Sequence, residues 1–106
     1  MFADEPRVQV RTGDWSELAE ACPFDLLVLD GGGQGKGHEP PLDPEGWLRP
    51  GGLVVLDDFT PMTTWPPTHL GQPDTARTYW LSHPRLRTAE VRVRPEAATI
   101  VATYLR

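Results

Sequence analysis

The chain has 106 residues and a formal net charge of -5, with nine arginines and one lysine that form no basic run. This acidic balance argues against a protein that binds nucleic-acid backbones. The longest wholly apolar runs have four residues, and the first residues do not resemble a signal peptide, so we expect no membrane segment and no secretion. The single cysteine, Cys22, excludes an internal disulfide, and we expect a cytoplasmic protein.

Glycine and proline are unusually frequent. Ten glycines and twelve prolines make up about a fifth of the chain, against roughly 12% in an average protein. The content of Leu, Ile, Val and Phe is nevertheless high enough for a folded core. We therefore expect one domain, residues 1–106, with long loops.

The first predicted elements are a strand, a short helix and a second strand. Residues 7–11 alternate between polar residues and valine, which predicts a short strand. Asp14 is a good N-cap for a helix over residues 15–21, which Pro23 ends. Residues 24–30 are almost continuously apolar, as in a parallel strand that is buried on both faces.

The middle of the chain predicts a helix, a strand, a loop and a further helix. A helix over residues 43–48 leads to a second buried parallel strand at residues 53–58. Residues 60–73 are rich in proline and are predicted to form a loop. Asp74 then caps a helix over residues 75–82.

The C-terminal part has a different pattern. Residues 86–94 alternate at their end, and residues 99–105 form a β-rich run after a short turn, which predicts an antiparallel hairpin with one solvated face. The predicted order β-α-β-α-β-α-β-β indicates an α/β fold. Its sheet is expected to be mostly parallel, with an antiparallel hairpin at the C-terminal end.

Acidic residues end both of the predicted buried strands. Asp30 ends the first strand, and Asp57 and Asp58 end the second. Ligands of open α/β sheets bind outside the carboxyl ends of parallel strands, so we expect the functional site there. The glycine-rich run after Asp30 does not match a phosphate loop, because Gly37 stands where that pattern needs Ser or Thr.

Two stretches resemble one enzyme family. Residues 24–31 read Phe-Asp-Leu-Leu-Val-Leu-Asp-Gly, and residues 47–59 read Trp-Leu-Arg-Pro-Gly-Gly-Leu-Val-Val-Leu-Asp-Asp-Phe. Together they resemble class I S-adenosylmethionine-dependent methyltransferases, and most of all the bacterial O-methyltransferases that act on small molecules. Residues 11–15 are similar to the preceding motif of that family. The resemblance implies a Rossmann-like sheet with strand order 3-2-1-4-5-7-6 and one antiparallel strand.

The resemblance spans residues 7–106 but corresponds only to the C-terminal half of the family domain. No Gly-x-Gly-x-Gly segment follows a strand, and the family's first two strands have no counterpart in the sequence. We therefore expect a truncated methyltransferase domain. The alternatives are a non-catalytic module of the same fold that has lost cofactor binding, and an unrelated doubly wound binding domain.

The resemblance also implies site residues for S-adenosylmethionine and for a small-molecule methyl acceptor. Asp30, Asp57 and Asp58 stand where cation-dependent members hold a metal, so Mg²⁺ is a second candidate cofactor. Asp30 also fits a metal-free role near the amino-acid end of the cofactor. Lys36 and His38 stand in the loop where the family can place a catalytic base. The residues implied for cofactor binding are Asp14, Trp15, Asp30 and Gly31.

The absence of the family's bridging strands also predicts a partner. The strand at residues 24–30 would expose a long apolar edge. We expect a homodimer through this edge, a strand at residues 7–11 that pairs with it, or a longer enzyme of which this chain is a fragment. The predicted partners are thus a small molecule and a second copy, without nucleic acid or membrane.

Overall fold

The computed structural model describes residues 4–37 and 39–106, which form a mixed α/β structure. A four-stranded sheet is its main element, and a short hairpin forms a second sheet. The strands are β1 (Phe24–Leu29), β2 (Leu48–Phe59), β3 (Thr68–His69), β4 (Gln72–Pro73), β5 (Leu86–Arg94) and β6 (Ala97–Tyr104). The helices are a 3₁₀ helix (Trp15–Ala21), α1 (Pro44–Trp47) and α2 (Thr75–Ser82).

The larger sheet contains both parallel and antiparallel pairs. Its order is β1-β2-β6-β5; β1 runs parallel to β2, whereas β6 runs antiparallel to both of its neighbours. The C-terminal hairpin is therefore confirmed, but the expectation of a mostly parallel sheet is wrong. The last strand inserts between β2 and β5, so a single reversed strand makes two of the three strand contacts antiparallel.

The strand predicted at residues 7–11 does not form. Residues 8–12 have no regular secondary structure, and Glu5 and Arg7 close a local turn through an ion pair of 2.8 Å. The Val8 amide donates to the Glu5 carbonyl at 3.1 Å. A strand needs a neighbouring edge for its N–H and C=O groups, and this segment lies beside β1 without joining its described ladder.

The core lies on one face of the larger sheet. Alternate residues of β2 and β6, such as Leu56 and Ile100, are fully buried. The sequence predicts that β1 is buried on both faces, and this is wrong. Leu29 is buried, but Leu26 and Val28 are 55% and 62% exposed. Side chains of α2 and of the loop after β1 pack into the buried cluster. They cover one face of the sheet and leave the other face uncovered.

Helix α2 has the bounds that the sequence predicts, and it closes the core. Asp74 caps the helix by accepting a hydrogen bond from the Arg77 amide at 3.1 Å. Trp80 is fully buried, and its Nε1 donates to the Gln34 carbonyl at 2.9 Å. This bond gives the indole N–H a partner and attaches α2 to the loop that follows β1.

Two other predicted segments differ in detail. The short helix at residues 15–21 is a 3₁₀ helix without a buried residue. The predicted loop at residues 60–73 contains the hairpin β3-β4. Its turn consists of Leu70 and Gly71, whose φ angles are 53° and 77°.

Candidate functional site

A buried glutamine joins the carboxyl ends of β1 and β2. Gln34 is 2% exposed, and its Nε2 donates to the Leu29 carbonyl at 2.7 Å and to the Asp57 carbonyl at 3.0 Å. The two parallel strands therefore end side by side, where the sequence predicts the functional site. Sequence reasoning missed Gln34, because nothing local distinguishes it from a solvated glutamine in a glycine-rich loop.

The three predicted metal-ligating acids do not form a common site. Asp57 accepts a hydrogen bond from the Thr99 hydroxyl at 3.3 Å, and Asp58 has a left-handed backbone with φ of 68°. Asp30 is exposed at the end of β1. Among residues 4–37 and 39–106, no group of three or more His, Cys, Asp or Glu side chains is placed to hold a metal ion. Asp57 and Asp58 lie in an irregular part of β2, where the register with β6 shifts between Leu56 and Phe59.

Lys36, predicted as a catalytic residue, lies across the end of β2. Its Nζ donates to the carbonyl of Asp57 at 3.3 Å and to the carbonyl of Asp58, and it lies 4.0 Å from the centre of the Phe59 ring. Burial lowers the pKa of Lys36, and the carboxylates of Asp58, Asp74 and Asp57 oppose this effect. The amine is thus easier to deprotonate than that of a solvated lysine.

A pocket of about 480 Å³ opens beside Lys36, and we call it the Lys36 pocket. It lies between the end of β2, the β3-β4 hairpin and the start of α2. Its lining contains both acidic and basic side chains. Such side chains can exchange protons with a polar molecule that binds in the pocket. The other predicted catalytic residue, His38, lies outside the described residues. The charged and ionisable lining of the pocket is Lys36, Asp58, His69, Asp74, Arg77 and Glu96.

A buried arginine anchors the wall of this pocket. Arg77 is 2% exposed, and its guanidinium lies 2.9 Å from Glu90 and 3.1 Å from Asp74. Its Nη2 also donates to the Thr60 carbonyl, just after β2. These contacts join α2, β5 and the loop after β2. The sequence did not indicate this role, because an arginine in a short helix is usually solvated.

A second cavity, the Trp15 groove, lies between β1 and the residues before it. It has a volume of about 390 Å³, and its lining includes Asp14, Trp15 and Leu26. Two of the four residues implied for cofactor binding therefore line one cavity. The other two, Asp30 and Gly31, are not part of that lining.

Contacts with two neighbours hold the Trp15 ring in place. The ring centre lies 5.5 Å from that of Trp47, and the planes are tilted by 46°. Gly32 packs against the indole so closely that a Cβ atom there would come within 2.0 Å of Trp15 Cδ1. Trp15 is thus half-buried by packing and still borders the groove.

Comparisons with protein-family models, curated proteins and solved structures find no match for this chain. In the described ranges 4–37 and 39–106, no helix is both long enough and apolar enough to cross a membrane.

Proposed function

We propose that this chain supplies the acceptor pocket and part of the cofactor site of an S-adenosylmethionine-dependent O-methyltransferase domain. The observation that carries the proposal is the strand order β1-β2-β6-β5 with β6 reversed. It corresponds to the order 4-5-7-6 in the second part of the sheet of class I methyltransferases, where the seventh strand is the reversed one. Many folds contain a mixed sheet, but few place the last strand of the chain between two earlier strands. This strand order therefore supports the methyltransferase fold more strongly than the mixture of parallel and antiparallel pairs does.

The position of the two family-like stretches supports the same interpretation. Residues 24–31 form β1 and its end, and residues 47–59 form the end of α1 and all of β2. Gln34 bonds to the carboxyl ends of both strands. Cofactor and acceptor sites of open α/β sheets lie at this end.

The Trp15 groove suits the adenosyl part of the cofactor. The Trp15 ring offers an aromatic surface for a base, and the Asp14 carboxylate offers an acceptor for hydroxyl or amino groups. S-adenosylmethionine, when bound, supplies an electrophilic methyl group. The proposal assigns no cofactor contact to Asp30 and Gly31, which lie outside the groove lining.

Lys36 is the base in this proposal. A hydroxyl group of the acceptor enters the Lys36 pocket and gives its proton to the Lys36 amine, which burial makes easier to deprotonate. His69 lies in the same pocket, with its Nδ1 3.4 Å from the Thr60 hydroxyl, and orients the acceptor. Among the described residues, no three His, Cys, Asp or Glu side chains are grouped to hold a metal ion, and the proposed proton transfer uses Lys36 alone.

Calorimetric titration of the full chain with S-adenosylhomocysteine, with and without Mg²⁺, tests the proposal. We expect binding with a Kd of about 0.1 mM that Mg²⁺ does not change. Trp15→Leu should weaken binding about tenfold, because loss of aromatic stacking on a base costs about 1–3 kcal/mol. Trp65→Leu is the matched control, since Trp65 is exposed and borders neither cavity.

Absence of binding at about 1 mM ligand would contradict the proposal. It would favour the second candidate, a non-catalytic module of the same fold. One observation favours that candidate: the Lys36 ammonium is already held by two main-chain carbonyls and the Phe59 ring, as in a purely structural lysine. Equal weakening by both tryptophan substitutions would also count against a cofactor site at Trp15.

A further inference from the structure

The outer edge of β1 is open. β1 pairs with β2 along one side, and in the described part of the chain no strand pairs with its other side. The groove of about 390 Å³ lies between this edge and residues 9–15, and these residues form no described ladder with β1. An edge of this kind is a template for another strand.

The two edges of the larger sheet are built differently. β5, at the opposite edge, carries Arg87, Arg92 and Arg94, and its ladder has an irregularity between Arg92 and Arg94. Charges and bulges of this kind keep an edge strand from pairing with other chains. β1 has one charged residue, Asp25, and its carboxylate is neutralised by Arg49 at 3.0 Å. The chain thus protects one edge of the sheet and leaves the other unprotected.

An exposed apolar surface adjoins the open edge. Leu26 and Val28 point to the uncovered face of the sheet and are 55% and 62% exposed. In the parallel register they lie beside Leu53 and Val55 of β2, and Leu53 is also exposed. Apolar side chains therefore continue from the edge across the face, as at the margin of an interface.

The total surface is larger than that of a typical monomer. The accessible surface is 7426 Å². A folded monomer of 11.8 kDa is expected to expose about 5,900 Å². The excess of roughly 1,500 Å² is larger than the ~800 Å² that one partner contributes to a standard interface. The fold thus buries less of its surface than an average monomer of this mass.

We propose that two copies of this chain associate through β1, which pairs with β1 of the second copy in antiparallel orientation about a two-fold axis. With the axis at Leu27, Leu26 lies opposite Val28 of the partner subunit, so apolar side chains meet along the seam. The only charge on the strand is already compensated within each copy. The result is a continuous eight-stranded sheet whose outer edges are the arginine-bearing β5 strands.

A second copy suits this edge better than the preceding segment of the same chain. With the axis at Leu27, residues 25–29 of each copy pair, and the seam is about 17 Å long. Residues 7–11 already lie beside the groove through Gln9 and Arg11, yet they form no described ladder with β1. The dimer uses a strand edge and no ligand, but Leu26, Leu27 and Val28 also line the Trp15 groove, so a second copy and the proposed cofactor exclude each other at this edge.

Sedimentation equilibrium of the full chain over about 1–500 μM tests the dimer. We expect a Kd of about 10 μM, as for a small interface. Val28→Lys on β1 should weaken association at least about tenfold, because it places a charge in an apolar seam. Val93→Lys on β5 is the matched control: it changes the same residue type, on the other edge strand, at 54% exposure. Circular dichroism of both variants verifies that they fold.

Hydrogen exchange of the wild-type protein supplies a test without substitutions. The amides of β1 should become more protected as the protein concentration rises through the Kd. A monomer up to about 500 μM overturns the proposal. If such a monomer has protected β1 amides, residues 7–11 have paired with the strand instead. The dimer proposal would also be overturned if Val28→Lys and Val93→Lys weakened association equally, since association would then not use the β1 edge.

Discussion

The buried guanidinium of Arg77 shows how one residue can determine local architecture. It contacts Glu90 on β5, Asp74 at the start of α2 and the Thr60 carbonyl after β2. An arginine that is 2% exposed has lost its water; Glu90 and the Thr60 carbonyl accept hydrogen bonds from its Nη atoms, whereas its Nε has only the ion pair with Asp74. The wall of the Lys36 pocket therefore depends on an ion pair network rather than on apolar packing alone.

Arg77→Met should lower the free energy of unfolding by about 3–5 kcal/mol, because it leaves the Glu90 and Asp74 carboxylates without their buried partner. Urea unfolding followed by circular dichroism measures this loss. Arg92→Met is the control and should change stability by less than about 0.5 kcal/mol, since Arg92 is exposed. A loss below about 1 kcal/mol for Arg77→Met would show that the network does not hold the wall.

Tyr79 makes the free energy of unfolding depend on pH in the alkaline range. Its hydroxyl donates to the Leu42 carbonyl at 3.1 Å, and burial, with a smaller contribution from Asp43, raises its pKa above the ordinary value of 10.0. The folded state therefore keeps the proton longer than the unfolded state. The stabilisation is fully present below pH 10.0 and is lost as the pH rises through the folded pKa.

Tyr79→Phe should therefore cost about 1 kcal/mol at neutral pH, through the lost hydrogen bond, and progressively less above about pH 10. Urea unfolding of both proteins from pH 7 to 11 measures the difference. Cys22 and Lys36 are common to both proteins, so their titration cancels to first order. A difference that stays constant over this range would mean that the Tyr79 hydroxyl titrates alike in the folded and unfolded states.

Among the secondary elements, the β3-β4 hairpin has an unfavourable turn. Leu70 has φ of 53° and is 90% exposed. A left-handed backbone costs a residue such as leucine about 1–2 kcal/mol, whereas asparagine adopts it more readily. Leucine at this position therefore strains the turn and contributes little packing in return.

Leu70→Asn should raise the free energy of unfolding by about 0.5–1 kcal/mol, because it relieves the strain in the turn. Thermal unfolding by calorimetry is the measurement. Leu105→Asn serves as the control, since Leu105 is also exposed but has no positive φ, and it should not stabilise the protein. If Leu70→Asn destabilises the protein, Leu70 makes a contact that matters for the fold.

The elements also show which signals are local. The bounds of α2 follow from Asp74 and Pro84, which act within one turn of the helix ends, and the sequence predicts them correctly. The strand at residues 7–11 has a suitable pattern but does not form, because alternation between near neighbours does not specify the hydrogen bonds to a second strand that a ladder requires. The burial of Gln34 and Arg77 likewise depends on residues distant in sequence.

At the scale of the whole molecule, one face and one edge of the main sheet stay open. The core fills a single face, and the accessible surface exceeds that of an average monomer by roughly 1,500 Å². Such a chain buries exposed apolar side chains when it associates with another chain. The unprotected edge of β1 determines where on the surface this association takes place. The proposed dimer and the proposed cofactor groove both use the uncovered side of β1, so a second copy and the cofactor compete for it.

The sequence by itself determined the features that arise from short-range patterns. These are the helix at residues 75–82, the C-terminal hairpin and the acids at the ends of β1 and β2. Only the tertiary structure decided that β6 inserts between β2 and β5, that Lys36 closes the end of β2 and that Arg77 is buried. The physical reason is that strand order and burial depend on contacts between segments far apart in the chain, whereas caps, turns and alternation act between near neighbours.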